Sequence, residues 1–328
     1  MTARRRVLLA LGASVLAPGP LFAQPGKVRR VGFLAYGHVD FADTDRVYGP
    51  FTQGMRELGY VLGRNLLIEW RSAEGQGERL TRLAVDLVRL KVDVLVTQGT
   101  PAAQAAQKAT AAIPIVMINV GDPVGTGLVK SLARPGGNST GLSSMNAELG
   151  PKLLELLRAM VPTTSRVAVL VNPSDAGNAA GLKNLQAAAE KLGVRILPVE
   201  ASTPHEIANG LVAAARQNAG ALIVLRQSLF QQQQNQIVEL AARQRLPSIG
   251  GYSEYVEAGG LMSYGQNIRE IFRRAATYVD KIFKGANPGD LPVEQPTQFE
   301  LFINRKTAQT LGLKIPPSML VQATKVIE

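Results

Sequence analysis

Apolar and polar positions along this chain run through the same order twice. Arg30-Val31-Gly32-Phe33-Leu34 opens a cycle that continues through Met55-Arg56-Glu57-Leu58-Gly59, Val92-Asp93-Val94-Leu95-Val96 and Ile113-Pro114-Ile115-Val116. The order recurs as Arg166-Val167-Ala168-Val169-Leu170, Ala189-Glu190-Lys191-Leu192-Gly193, Ala219-Gly220-Ala221-Leu222-Ile223 and Leu246-Pro247-Ser248-Ile249. Each cycle predicts an apolar strand, a helix ending in Leu-Gly, a strand, an amphipathic helix, a buried strand, a further helix and a strand. Over residues 78–91, Leu80, Leu83, Ala84, Leu87 and Val88 fall at the three-and-four spacing of one helix face. Residues 92–97 and 221–225 are apolar runs without alternation, as strands covered on both faces require. The pattern therefore predicts an α/β protein with two lobes and parallel sheets. Such sheets bind ligands at the carboxyl ends of their strands, where loops and helix N-termini gather backbone donors.

The first lobe is expected to span residues 29–145, and Gly150-Pro151 opens the helix into the second, with proline tolerated in a first turn. The chain continues past the second cycle. Leu261-Met262-Ser263-Tyr264 predicts a strand, residues 268–284 a long helix closed by Gly285, residues 299–303 a strand and residues 306–311 a short helix. These extra elements predict that the chain crosses back, with residues 260–290 joining lobe one, and residues 146–259 with 291–328 forming lobe two. A hinge of several crossings lets two lobes close as rigid bodies on whatever lies between them.

Residues 1–23 stand outside this scheme. Arg4-Arg5-Arg6 is a charged n-region, residues 7–17 are an apolar stretch too short to span a bilayer, and Pro18-Gly19-Pro20 precedes a small residue at Ala23. An export signal cleaved near Ala23 is expected. Arg4-Arg5 also fits a twin-arginine signal, which leaves the route open between that and ordinary secretion. The 328 residues contain no cysteine, so disulfides, thiolate chemistry and a lipid-bearing cysteine are excluded. A periplasmic protein free of a lipid anchor is expected, meeting the membrane only through a partner and acting as a monomer. The formal charge of +11 includes Arg4, Arg5 and Arg6, and the remaining +8 is spread over helices instead of clustering with aromatic residues; this argues against nucleic acid.

Catalytic signatures are missing from the sequence. There is no Gly-x-x-x-x-Gly-Lys-Ser/Thr loop, no His-Glu-x-x-His and no Gly-x-Gly-x-x-Gly after the first strand. With two histidines in the whole chain, neither a histidine metal site nor a cofactor is expected. The candidates for ligand contact lie in the loops after predicted strands. Tyr36, Gly37 and His38 follow the first strand; Thr100 and Pro101 follow the third, with Thr100 as a helix cap. Asp122 sits in Gly121-Asp122-Pro123-Val124-Gly125, which reads equally as a turn or as a ligand loop. Asn172 and Ser174 occupy the equivalent loop of lobe two, Arg226 and Gln227 follow its buried strand, and Tyr252, Ser253 and Glu254 close the set. Backbone donors near Thr100 and Asn172 would hold an anionic group, Asp122 or Glu254 a cationic one, and the tyrosines an apolar body.

With these residues in view, the chain resembles the ABC-transporter substrate-binding proteins, the family that includes tryptophan- and tyrosine-type binding proteins. The resemblance is carried by residues 51–60, Ile113-Pro114-Ile115-Val116, Gly121-Asp122-Pro123-Val124, residues 134–141, Val171-Asn172-Pro173, residues 257–265 and residues 275–282. It implies a type I periplasmic-binding-protein fold, two Rossmann-like lobes around a multi-strand hinge. It also implies a small organic ligand, an amino acid or related carboxylate, passed to a membrane permease and its ATPase, with no enzymatic activity. This chain has Arg226-Gln227-Ser228-Leu229-Phe230 where relatives often carry an acidic Asp-Pro-Leu-Phe loop, and Gly250-Gly251-Tyr252-Ser253-Glu254 where an arginine is common. That exchange implies altered charge recognition. A ligand-binding module for a sensor or chemoreceptor, and an exported two-domain α/β enzyme, are the alternatives.

Overall fold

A computed structural model describes residues 28–37, 48–173 and 175–328; residues 1–23, His38 and Ser174 lie outside the described residues. The first lobe contains β1 (Arg29–Ala35), α1 (Gly49–Glu57), β2 (Leu66–Ser72), α2 (Arg79–Arg89), β3 (Val94–Gln98), α3 (Thr100–Ala109), β4 (Ile115–Gly121) and β5 (Ser139–Ser144). Its described strands form a parallel five-stranded sheet in the order β2-β1-β3-β4-β5. Leu80, Leu83, Ala84 and Leu87 of α2 are buried, and they join Leu34, Leu95 and Met117 in the core on one face of this sheet.

The second lobe begins with α4 (Gly150–Met160), β6 (Arg166–Val171), α5 (Ala176–Lys191), β7 (Arg195–Glu200) and α6 (Pro204–Arg216). It continues through β8 (Ala221–Val224), α7 (Ser228–Gln232), α8 (Gln234–Arg243), β9 (Ser248–Gly250), α9 (Glu254–Glu257) and β10 (Met262–Gln266). After α10 (Ile268–Phe283) come β11 (Phe299–Asn304), α11 (Arg305–Thr310), α12 (Pro317–Gln322) and β12 (Lys325–Ile327). The described strands pair in the order β12-β11-β10-β9-β8-β6-β7, with β10 and β11 antiparallel and every other pairing parallel.

The segment after the second cycle divides differently from the sequence boundary. β10 belongs to the second sheet, pairing with β9 through Met262 and Ile249, whereas residues 260–290 were expected to return together to lobe one. The next element makes that crossing. Ile271, Phe272, Ala275, Ala276, Tyr278, Val279 and Phe283 of α10 bury against Val31, Phe33, Phe51 and Met55 of the first lobe. The approach is close enough that a Cβ on Gly54 of α1 would stand 2.9 Å from the Ala276 Cβ. Asn267 caps α10 by accepting from the Glu270 N–H at 2.9 Å.

Among the described residues the chain thus passes between the sheets three times: between β5 and α4, between β10 and α10, and across residues 295–298 before β11. Beside the third passage the Ser143 N–H donates to the Glu294 carbonyl at 2.9 Å, and the Glu294 N–H donates to the Gly141 carbonyl at 2.9 Å. Arg274 of α10 holds the Glu294 carboxylate through two bonds of 2.8 Å. The hinge is therefore a set of backbone-paired segments, which lets the lobes move as units.

Candidate functional site

Every loop named from the sequence leaves the carboxyl end of a strand, and the two sheets bring those ends toward each other. One such approach joins the loop after β1 to the start of α7. A Cβ built on Gly37 would lie 3.5 Å from the Ser228 hydroxyl. Tyr36 is half-buried, and burial raises its phenol pKa first, with the fields of Asp175 and Glu78 adding to the rise. Asp175 belongs to lobe two and Tyr36 to lobe one, so their fields meet across the cleft. The loop is fixed from beneath: the Ser72 hydroxyl donates to the Gly37 carbonyl at 2.7 Å, and the Gly75 N–H donates to the Tyr36 carbonyl at 2.8 Å. A Cβ on Gly77 would stand 3.8 Å from the Tyr36 ring, an ordinary contact distance, which places this loop beside the ring.

The other lobe-one candidates have local duties. Gly99, with φ of 84°, caps α3 and Thr100 is its first residue, in place of the expected Thr100 cap; the Thr100 hydroxyl instead accepts from the Gly121 N–H at 3.1 Å. That bond ties the ends of β3 and β4. Pro101 is exposed in the first turn. Asp122 is also exposed, with φ of 37°, and its carboxylate accepts from the Gly125 N–H at 2.8 Å, which is the turn reading of this loop. Just before it, β4 bulges at Asn119, whose φ is 57° and whose buried Oδ1 has no hydrogen-bond partner. Bulges concentrate near sites because they re-aim a side chain.

Lobe two is organised around a residue not named from the sequence. Asn178, 4% exposed, accepts from the Asn172 N–H at 3.1 Å through Oδ1 and donates from Nδ2 to the Arg226 carbonyl at 2.9 Å. Its own N–H donates to Asp175, the cap of α5, at 3.0 Å. One amide thus fixes the loops after β6 and β8 and the start of a helix. Asp175 was likewise outside the candidate set; burial raises its carboxyl pKa, against the lowering effect of the Asn178 and Gly177 N–H groups. The signal available was a short polar side chain in a first helical turn among Gly177, Ala179 and Ala180.

Arg226 follows β8 with its side chain half-buried and Nη1 fully enclosed without a hydrogen-bond partner. Burial lowers its pKa, opposed by the fields of Glu254 and Tyr252. Its guanidinium carbon lies 6.0 Å from the Tyr252 ring centroid. Gln227 caps α7, its side chain accepting from the Leu229 N–H at 2.6 Å. Ser253 donates to the neighbouring Glu254 carboxylate at 3.3 Å, and both are half-buried.

Tyr252 is a correction. It was expected to cover a ligand, but only 1% of it is exposed and its hydroxyl donates to the Phe230 carbonyl at 2.9 Å. Its ring packs edge-on to Tyr255, also buried, in the core beneath the loop. An aromatic residue at a strand end satisfies its hydroxyl internally when the chain turns inward there. Tyr252 therefore supports Arg226 from below.

Among the described residues no group of three or more histidine, aspartate or glutamate side chains could hold a metal, and no helix is long and apolar enough to cross a membrane. His205 is exposed on α6.

Comparison with known proteins places this geometry. The tyrosine-binding protein of Clostridioides difficile is 28% identical over 276 residues, covering 84% of this chain and 79% of that protein. The crystal structure of an ABC domain from Streptococcus pneumonia in complex with L-Trp is 28% identical and covers 91% of this chain and 99% of its own, with a TM-score of 0.83. A substrate binding protein with adhesive properties from Clostridium difficile, in a ligand-free, open structure, is 26% identical and covers 92% and 99%, with a TM-score of 0.67. At nearly equal identity, this chain superposes more closely on the L-Trp complex. The family model for ABC transporter substrate binding proteins matches residues 38–327, and with two α/β lobes meeting at their strand ends, the chain belongs to that family.

Proposed function

We propose that this protein is the solute receptor of an ABC importer, closing on an amino-acid-like ligand between its lobes and delivering it to a membrane permease driven by an ATPase. An aromatic amino acid is the simplest cargo. The observation that carries this reading is the meeting of Tyr36 and Gly37 with Asp175 and Ser228 across the cleft. The likeness to the L-Trp complex and to the tyrosine-binding protein supports the ligand class. Residues 1–23 export the protein to the periplasm, where it diffuses without a lipid anchor. Binding proceeds without chemical turnover.

In this reading Tyr36 and Gly37 form the lobe-one wall. Asn172, Arg226 and Gln227 form the lobe-two wall, with Ser253 and Glu254 at its edge. Thr100, Pro101 and Asp122 shape the rim through the loop contacts described above.

Thermal unfolding against a panel of amino acids, aromatic acids, nucleosides and short peptides tests it. A ligand at about one hundred times its dissociation constant adds about 2.7 kcal/mol of stability. A rise in melting temperature confined to aromatic amino acids is expected; a rise only with nucleosides or peptides would overturn the ligand assignment.

A further inference from the structure

Among the described residues, Arg226 is a cation beside the cleft that lacks a counter-ion. Its Nη1 is sealed from solvent and bonded to nothing, and among the described residues no carboxylate lies within ion-pair distance of its guanidinium. Glu254 acts on it only through its field.

The group is nevertheless held in place. The Arg226 carbonyl is tied to Asn178 at 2.9 Å, and the Tyr252 ring lies under the guanidinium at 6.0 Å. Tyr252 is itself anchored through its hydroxyl to Phe230. Gly251 passes so near that a Cβ there would stand 3.1 Å from the Arg226 Cβ. A protein that fixes a guanidinium this closely and leaves a donor unpaired bears a desolvation cost that a bound anion removes.

One backbone donor beside each of the two loops first considered for an anion is otherwise engaged. The Gly121 N–H donates to Thr100 and the Asn172 N–H to Asn178. Two residues after Arg226, Ser228 faces Gly37 of the other lobe, so an anion on Arg226 sits at the seam that closure seals.

The geometry points to Arg226 as the residue that selects the ligand, by pairing its fixed guanidinium with a carboxylate of the solute. This rests on the receptor reading above and narrows the cargo to carboxylates. Guanidinium matches carboxylate in a planar fork that an ammonium does not reproduce, so Arg226→Lys retains charge without the geometry.

The test is calorimetric titration and thermal unfolding of the purified protein, Arg226→Met and Arg226→Lys. The probes are L-tryptophan and L-tyrosine, their decarboxylated amines tryptamine and tyramine, the deaminated acids indole-3-propionate and 3-(4-hydroxyphenyl)propionate, benzoate and succinate. We expect L-tryptophan or L-tyrosine, and not the amines, to bind the wild type. Arg226→Met should weaken that binding by about 10- to 150-fold, the range of a hydrogen bond to a charged group, and Arg226→Lys should restore little of it. Without ligand, Arg226→Met should melt at or above the wild-type temperature, because it removes an uncompensated charge.

Equal binding of acids by wild type and Arg226→Met would overturn this assignment and leave the receptor reading standing. Binding of other carboxylates but not the amino acids, lost in Arg226→Met, would overturn the amino-acid cargo and support the assignment. Wild type that binds no carboxylate, or an unliganded Arg226→Met that melts several degrees lower, would also overturn it.

Discussion

Replacing Asn178 by alanine tests how the lobe-two wall is built. The substitution strands two buried groups, the Asn172 N–H and the Arg226 carbonyl, which its amide meets at 3.1 and 2.9 Å. A buried polar group left without its partner costs about 1–3 kcal/mol. The pair therefore predicts a loss of about 2–6 kcal/mol, the lower end applying where water reaches one of them. Alanine has the better helix propensity, which returns at most about 0.7 kcal/mol. At about 2–4 °C per kcal/mol for a unit of this size, the melting temperature of Asn178→Ala should fall by about 3–24 °C. Hydrogen exchange gives the local readout: the Asn172 amide should exchange faster, while amides in β1 and β3 of the other lobe keep wild-type protection. A melting temperature within about 1 °C of wild type, with the Asn172 amide still protected, would refute the claim that one side chain fixes both loops.

Tyr252→Phe removes the buried hydroxyl that meets the Phe230 carbonyl and should cost about 1–3 kcal/mol in denaturant unfolding; a ligand-covering tyrosine would instead lower affinity with stability unchanged. Gly141 has φ of 132°, and a Cβ there would strike the Met117 backbone, so Gly141→Ala should cost more than about 3 kcal/mol, seen as loss of soluble folded protein. Hydrogen bonds from Arg274 hold the Glu294 carboxyl below its ordinary value of 4.5. A lowered carboxyl pKa gives stability that is present above the unfolded value and lost as pH falls through the folded one. The melting temperature of Glu294→Gln should therefore fall less steeply than that of wild type below about pH 4.5, and solvent screening keeps the difference under about 1 kcal/mol. Parallel slopes would remove Glu294 from the hinge account.

What the sequence makes legible is what local pattern controls. Leu80, Leu83, Ala84 and Leu87 bury as their spacing requires, and residues 94–98 and 221–224 are interior strands. β5 was harder to see, because Ser139-Thr140-Gly141-Leu142-Ser143-Ser144 has one large apolar residue; it buries through backbone pairing with β4 and the close approach at Gly141. The apolar stripe of α10 fits any sheet, so its choice of lobe one depends on Gly54 and Phe33, more than two hundred residues earlier. In the site, Arg226 and Tyr36 could be named because they follow predicted strands. The inward turn of Tyr252 could not, since it depends on a carbonyl of another loop. Asn178 escaped for the same reason: its partners are the loops at Asn172 and Arg226, which come together only in the folded lobe.

The central claim is that two lobes close on a small ligand, and the cysteine-free sequence allows a clean measurement of it. Val124 and Glu200 are exposed at the carboxyl ends of β4 and β7, one on each lobe. Spin labels on Val124→Cys and Glu200→Cys report their separation by double electron–electron resonance. The account predicts that a saturating ligand from the thermal panel shifts the distance distribution to a shorter, narrower one. A distribution unchanged at saturation would contradict closure.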